Sequence, residues 1–287
     1  MTKLNRNDTC WCNSKKKYKK CHLEFDEKMD QYDRQGYPIP DSDLYKSESE
    51  IIGIKKACQL TSSILDRLTE FIKPGITTDD INTFVHDYTI KHGATPAPLN
   101  YRGFPKSICT SLNEVICHGI PSDRVLIDGD ILNVDVTCIL DGYYGDSCRM
   151  YMIGTPSKEA QQLVTVTKEC LELGIKAVKP FDPISKIGDA ISSHAHKYGY
   201  GVVEMFGGHG IGTEFHTDPF IYHYSRSDKQ MIMAPNMIFT IEPMINIGKP
   251  GCKILADNWT AVTKDGSLSA QWEHQVLVTE TGVEVLT

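Results

Sequence analysis

A long apolar run is missing from this 287-residue sequence. Nothing approaches the ~20 consecutive apolar residues that a membrane-spanning helix needs, so no membrane partner is expected. The first twenty residues are polar and lysine-rich and lack the apolar core of a secretory signal. Basic charge is also scarce over most of the chain: 30 Lys and Arg stand against 37 Asp and Glu, a net charge of −7. Only residues 1–23 run the other way, with seven Lys/Arg against one Asp, a local +6 that leaves −13 for the remainder. The sequence is a small basic head on an acidic body. Ten cysteines are present, but they are scattered through a large chain and no secretory signal accompanies them. They read as reduced thiols of a cytoplasmic protein. Nothing in the composition demands more than a monomer.

The chain divides into a head over residues 1–25, a polar linker over 26–45 with no clear apolar period, and a body over 46–287. The body is α+β. Ser47 with Glu50 forms a capping box, and the apolar face running from Ile51 to Phe71 stops at Lys73-Pro74-Gly75. A second helix runs from about Thr78 to Gly93, followed by strand-like segments at 106–120 and 130–153. The pattern then restarts, with a helix from Ser157 to Lys179-Pro180 and another from about Ile184 to Gly199. Strand-like segments follow at 236–247, 259–263 and 272–279.

An offset of 106 aligns the two halves without a gap through the helices: Lys73-Pro74 meets Lys179-Pro180, Lys91 meets Lys197, and Gly93 meets Gly199. "CHGI" at 117–120 then corresponds to "GHGI" at 208–211, and "DILNVDV" to "MIFTIEP". Asp135 is matched with Glu242, and Asp146 with Glu273. Duplicated halves pack about a pseudo-two-fold axis, so equivalent residues near that axis converge.

Asp141-Gly142 reads as a hairpin turn. Residues opposed across it have numbers summing to 283, which sets Asp135 against Cys148 and Asp146 against Thr137. Alternation at period two then places Asp135 and Asp146 on one face. Two carboxylates that close repel unless a cation lies between them. Glu242 in "FTIEPMI", Glu273 in "SAQWEHQVLV" and His209 in "FGGHGIG" complete an oxygen-rich set. Such a set suits a pair of Mn, Fe, Co or Zn ions sharing carboxylates.

The motifs "YRGFPKSICTSLNEVICHGIP", "GDILNVDV", "GDSCRM", "GHGIGTEFHTDP", "TIEPMI" and "SLSAQWEH" resemble those of the type I methionine aminopeptidases over residues 45–287. The resemblance implies the pita-bread fold: two pseudo-two-fold helix and antiparallel-sheet halves around a central dinuclear metal site. It implies removal of the initiator methionine from nascent polypeptides, preferentially before a small second residue. It also implies that Asp135 binds one metal, His209 and Glu242 the other, and that Asp146 and Glu273 bridge them. Glu242 would handle the proton, while His118 and His216 would sit beside the scissile bond. Tyr101, Phe104, Cys109, Phe215 and Trp259 would form the methionine pocket, with Phe104 and Pro98 as departures from the commoner residues. Two rivals share this fold: a prolidase or X-Pro aminopeptidase, and a non-catalytic binding module that has lost its ligands.

In the head, Cys10, Cys12, Cys21 and His22 have the spacing C-x-C-x8-C-H, four soft donors suited to one structural zinc. The segment "CWCNSKKKYKKCH" is similar to the zinc tail of the preprotein-translocase ATPase, the SEC-C type of motif. Its lysines suit an anionic partner such as ribosomal RNA, which would hold an enzyme near emerging N-termini, and a protein partner is the alternative.

Overall fold

Two helix pairs flank two antiparallel sheets in the computed structural model, which describes residues 4–12 and 14–287. After a first helix in the head region, α1 (Leu23–Arg34), the first half carries α2 (Glu48–Phe71) and α3 (Thr78–Lys91). Ser47 and Glu50 form the expected reciprocal cap, and Thr77 with Asp80 forms a second one. The second half carries α4 (Lys158–Ala177), capped by Ser157, and α5 (Ser185–Lys197). The offset of 106 holds at the helix ends: Phe71 and Lys91 correspond to Ala177 and Lys197. Gly93 and Gly199 both have φ of 74°, a left-handed stop that a side chain would oppose.

The first sheet is built on β3 (Ile131–Leu140), paired along its length with β4 (Tyr143–Met152). The other edge of β3 takes β1 (Thr95–Pro96) and β2 (Cys109–Leu112). Asp141 and Gly142 turn the hairpin with φ of 52° and 83°, as a primed two-residue turn requires. The expected register is found: Asp135 opposes Cys148 and Asp146 opposes Thr137. The second sheet contains β5 (Gly208–Gly210), β6 (Thr217–Ile221), β7 (Ile238–Ile241), β8 (His274–Val278) and β9 (Val283–Val285), in the order β9-β8-β7-β5-β6. Two smaller three-stranded sheets complete the body. One apolar core lies between α2, α3 and the first sheet, another between α4, α5 and the second. The sheets meet at the axis, where Ser147 Oγ donates to the Glu273 carbonyl at 2.7 Å and the Asp146 amide donates to Gln275 Oε1 at 2.9 Å. No helix among the described residues is long and apolar enough to cross a membrane.

Residues 26–45 differ from the linker reading. Much of the segment is α1, whose Phe25, Met29 and Tyr32 (spacing i, i+4, i+7) pack on the second core, with Met29 3% exposed. Leu44 is buried in the same core. The Ile232 amide donates to the Pro38 carbonyl at 3.0 Å and the Lys46 amide to the Asn236 carbonyl at 2.9 Å, so the strap is stitched to the body. The apolar period was hidden because three apolar contacts are all this polar helix makes with the core. The head is tied to the strap: Trp11 lies 5.7 Å from Tyr45 between ring centroids, and Phe25 lies 6.2 Å from Phe181.

Candidate active site

The acids expected to converge do converge. Asp135 and Asp146 come from facing strands of the first sheet. Glu242 follows the last residue of β7 and Glu273 precedes the first of β8, whose His274–Ile241 pairing brings the two glutamates side by side. His209 lies in β5, next to β7. Close approach of the chain here depends on glycine, because a Cβ on Gly210 would lie 1.9 Å from the Asp218 carbonyl oxygen.

Donor atoms of Asp146, His209 and Glu273 lie within 4.8 Å of one another. His209 Nε2 is 3.7 Å from Asp146 Oδ2 and 3.7 Å from Glu242 Oε1. Its Nδ1 lies 3.1 Å from the Gly210 carbonyl oxygen, an atom that only accepts, so Nδ1 carries the proton. Nε2 therefore turns its lone pair toward two carboxylates. Burial lowers the His209 pKa to about 4, which keeps the ring neutral.

Burial pushes Asp135 up to about 7. It raises Asp146, Glu242 and Glu273 well above the usual carboxylate range, and the charges of their neighbours add to the rise. Three buried acids and the half-buried Asp135 form a set that ionises only around positive charge, and among the described residues no Lys or Arg pairs with them. The donor set fits hard-to-borderline divalent metal ions.

These groups open into a cavity of about 430 Å³. Every pocket and proton-handling residue expected from the sequence lines it: Tyr101, Phe104, Cys109, His118, Phe215, His216 and Trp259, together with Asp135, Asp146, His209, Glu242 and Glu273. The Phe104 and Trp259 rings meet edge to face at 5.1 Å. His216 Nδ1 lies 3.0 Å from the Tyr101 hydroxyl, and burial plus the nearby His209 and His118 lower its pKa to about 3. His118 is held at φ of 57°, an uncommon backbone state of the kind that clusters at working sites. Burial lowers its pKa as well.

The sequence profile of metallopeptidase family M24 matches residues 53–280, most of the chain. The chain belongs to metallopeptidase family M24. Methionine aminopeptidase A of Synechocystis sp. is 56% identical over 242 residues, covering 84% of this chain and 96% of that protein. The methionine aminopeptidase of Chlamydia trachomatis is 47% identical over 289 residues, 99% of each chain. A crystal structure of methionine aminopeptidase from Rickettsia prowazekii superimposes with a TM-score of 0.83 at 45% identity, covering 85% of this chain and 98% of that one. The fold is thus that of the methionine aminopeptidases. The head matches the SEC-C motif over residues 6–24.

Supporting groups of this M24 site were not picked out from the sequence. Thr137 donates to Asp146 Oδ1 at 2.7 Å, Thr240 to Glu242 Oε1 at 2.8 Å, and Gln271 Nε2 to Glu242 Oε2 at 3.2 Å. Each lies two residues from one of the four acids in the sequence, so extending the period-two reading by one step finds all three. Met205, Phe206, Phe220 and Met244 also line the cavity, without an equivalent signal.

In the head, Cys10 Sγ lies 3.1 Å from His22 Nδ1, Cys21 Sγ 3.2 Å from the same atom, and Cys12 Sγ 3.5 Å from Cys21 Sγ. Tetrahedral zinc with the usual Zn–S and Zn–N lengths sets donors roughly 3.5–3.8 Å apart, close to these values. Trp11 Nε1 and the Tyr18 hydroxyl both donate to Asp26 Oδ2, at 3.0 and 2.6 Å, tying the knuckle to α1.

Proposed function

We infer that the protein is a metal-dependent methionine aminopeptidase that removes the initiator methionine from new polypeptides. The observation that carries this reading is a single cavity with a buried acid–imidazole nest at one end and aromatic walls at the other. Identities of 56% and 47% to methionine aminopeptidases favour it over an X-Pro peptidase of the same fold. All five ligand positions are filled, which argues against a non-catalytic relative.

Asp135, Asp146, His209, Glu242 and Glu273 would hold two divalent ions, which would supply Lewis acidity and lower the pKa of water. Glu242, oriented by Thr240 and Gln271, takes the proton of the attacking water on a carboxylate oxygen and passes it to the leaving amine. With the Tyr101 hydroxyl donating to Nδ1, His216 keeps a proton on Nε2 for the developing oxyanion. His118 hydrogen-bonds the substrate amide. Tyr101, Phe104, Cys109, Phe215 and Trp259 receive the methionine side chain and exclude water from it.

Space beyond the scissile bond is narrowed by His118 and His216, so a small second residue is preferred. Met-Ala-Ser is expected to be cleaved at least about tenfold faster, by kcat/KM, than Met-Trp-Ser, a difference of ~1.4 kcal/mol in transition-state stabilisation. Equal rates, or a preference for X-Pro peptides, would contradict the assignment.

The head works apart from the chemistry: Cys10, Cys12, Cys21 and His22 hold a structural zinc, and the exposed Lys15, Lys16, Lys17, Lys19 and Lys20 dock on ribosomal RNA phosphates in the cytoplasm. Cys10→Ser with Cys12→Ser is expected to reduce salt-sensitive co-sedimentation with ribosomes. Unchanged co-sedimentation would point to a protein partner instead.

A further inference from the structure

Phe220, on β6, is the one phenylalanine among the described residues that stands exposed, at 40%. It lines the cavity together with Met205, which is 56% exposed at the same mouth. β6 ends at Ile221 and the chain runs on from it without strand pairing. Ile221 and His223 are buried, at 0% and 1% exposure, while Tyr222 and Tyr224 are half-buried, Tyr224 resting partly on the second core. The Phe220 and Tyr222 rings are 4.7 Å apart, and Tyr222 and Tyr224 5.6 Å. Arg226 lies 4.2 Å over the Tyr222 ring and its Nη1 donates to the Tyr224 hydroxyl at 3.3 Å. Asp228 grips the same guanidinium at 2.8 and 3.1 Å and neutralises it. β6 is the outer strand of its sheet, so no further strand covers Phe220.

We propose that this ladder is an exosite for the substrate chain downstream of the scissile bond, taking apolar side chains of roughly the third to eighth residues. The proposal rests on the aminopeptidase reading. Continuity identifies the occupant: the strip begins inside the cavity at Phe220 and leads outward from it, and the remainder of a polypeptide held by its N-terminus has to leave through that mouth. Residues 220 to 226 span at most about 20 Å at roughly 3.3 Å per residue, so the strip meets no more than about six extended substrate residues. A tripeptide ends before reaching it. The Arg226–Asp228 pair leaves the strip with no net charge, so its contribution is insensitive to salt.

The test compares Met-Ala-Ser with a peptide of about nine residues that begins Met-Ala-Ser and carries Leu and Phe at alternate downstream positions. The wild type is expected to turn over the long peptide with kcat/KM about five- to tenfold higher, through KM and at both low and high salt, a gain of the size that aromatic contacts provide. Tyr222→Ser is expected to lose most of that advantage while cleaving Met-Ala-Ser within about twofold of wild type, and Tyr222→Phe to keep it. Equal wild-type values for the two lengths, or an undiminished advantage in Tyr222→Ser, would overturn the proposal. So would loss of tripeptide cleavage in a folded Tyr222→Ser protein. Failure of the wild type on the tripeptide itself would instead count against the aminopeptidase reading.

Discussion

Asp135→Asn or Glu273→Gln is expected to lower kcat on Met-Ala-Ser on the order of a thousandfold or more while leaving the fold intact. Both side chains are isosteric with their replacements, so packing is preserved and charge alone is removed. Burial raises the pKa of all four acids, and the charges of neighbouring acids add to the rise at Asp146, Glu242 and Glu273. Replacing one acid by an amide therefore removes a group that has to be kept protonated in the metal-free protein. The variants should be at least as thermally stable as the metal-free wild type and should bind divalent ions more weakly. Metal analysis by mass spectrometry beside a thermal melt checks both halves. A variant that retains wild-type metal content and turnover would remove that acid from the site.

Met29→Ala is expected to cost about 2–5 kcal/mol, the usual range for emptying a buried methionine site. Each kcal/mol moves Tm by about 2–4 °C in a chain of this size, so a fall of roughly 5–15 °C should appear in a melt. Deleting residues 1–40 should lower Tm by at least as much, because it uncovers Phe181 and the core beneath α1. Chemistry should survive: none of residues 1–45 lines the cavity, so kcat/KM on Met-Ala-Ser at 25 °C should stay within about threefold of wild type. A melt unchanged by Met29→Ala would mean that the strap is not docked. Loss of tripeptide cleavage by folded, metal-loaded protein lacking residues 1–40 would bring the head into the active site.

The hairpin bearing Asp135 and Asp146 was legible because three local signals agree: an Asp-Gly turn, alternation at period two, and acids where apolar residues are otherwise the rule. Glu242 and Glu273 became legible only through the repeat, since neither has a turn beside it to fix a register. The cysteine–histidine cluster of the head was readable from spacing alone. α1 escaped because a helix that rests on a core through three residues in twelve carries too little apolar signal to rise above its charges. β5 and β6 escaped for a different reason: they contain glycine and proline, which argue against strands, and the glycines are used there to let backbones approach around His209. Gln271, Thr240 and Thr137 look like ordinary strand residues until the acids they orient have been placed.

The most direct measurement is release of free amino acid from Met-Ala-Ser, Leu-Ala-Ser and Ala-Pro-Ser by enzyme before chelation, after thorough chelation, and after reloading with Mn, Fe or Co. The account predicts free methionine from the first peptide in the untreated and reloaded enzyme, little release from the other two, and none from any peptide when metal analysis confirms an empty site. Undiminished methionine release by metal-free enzyme, or faster cleavage of Ala-Pro-Ser than of Met-Ala-Ser, would contradict it.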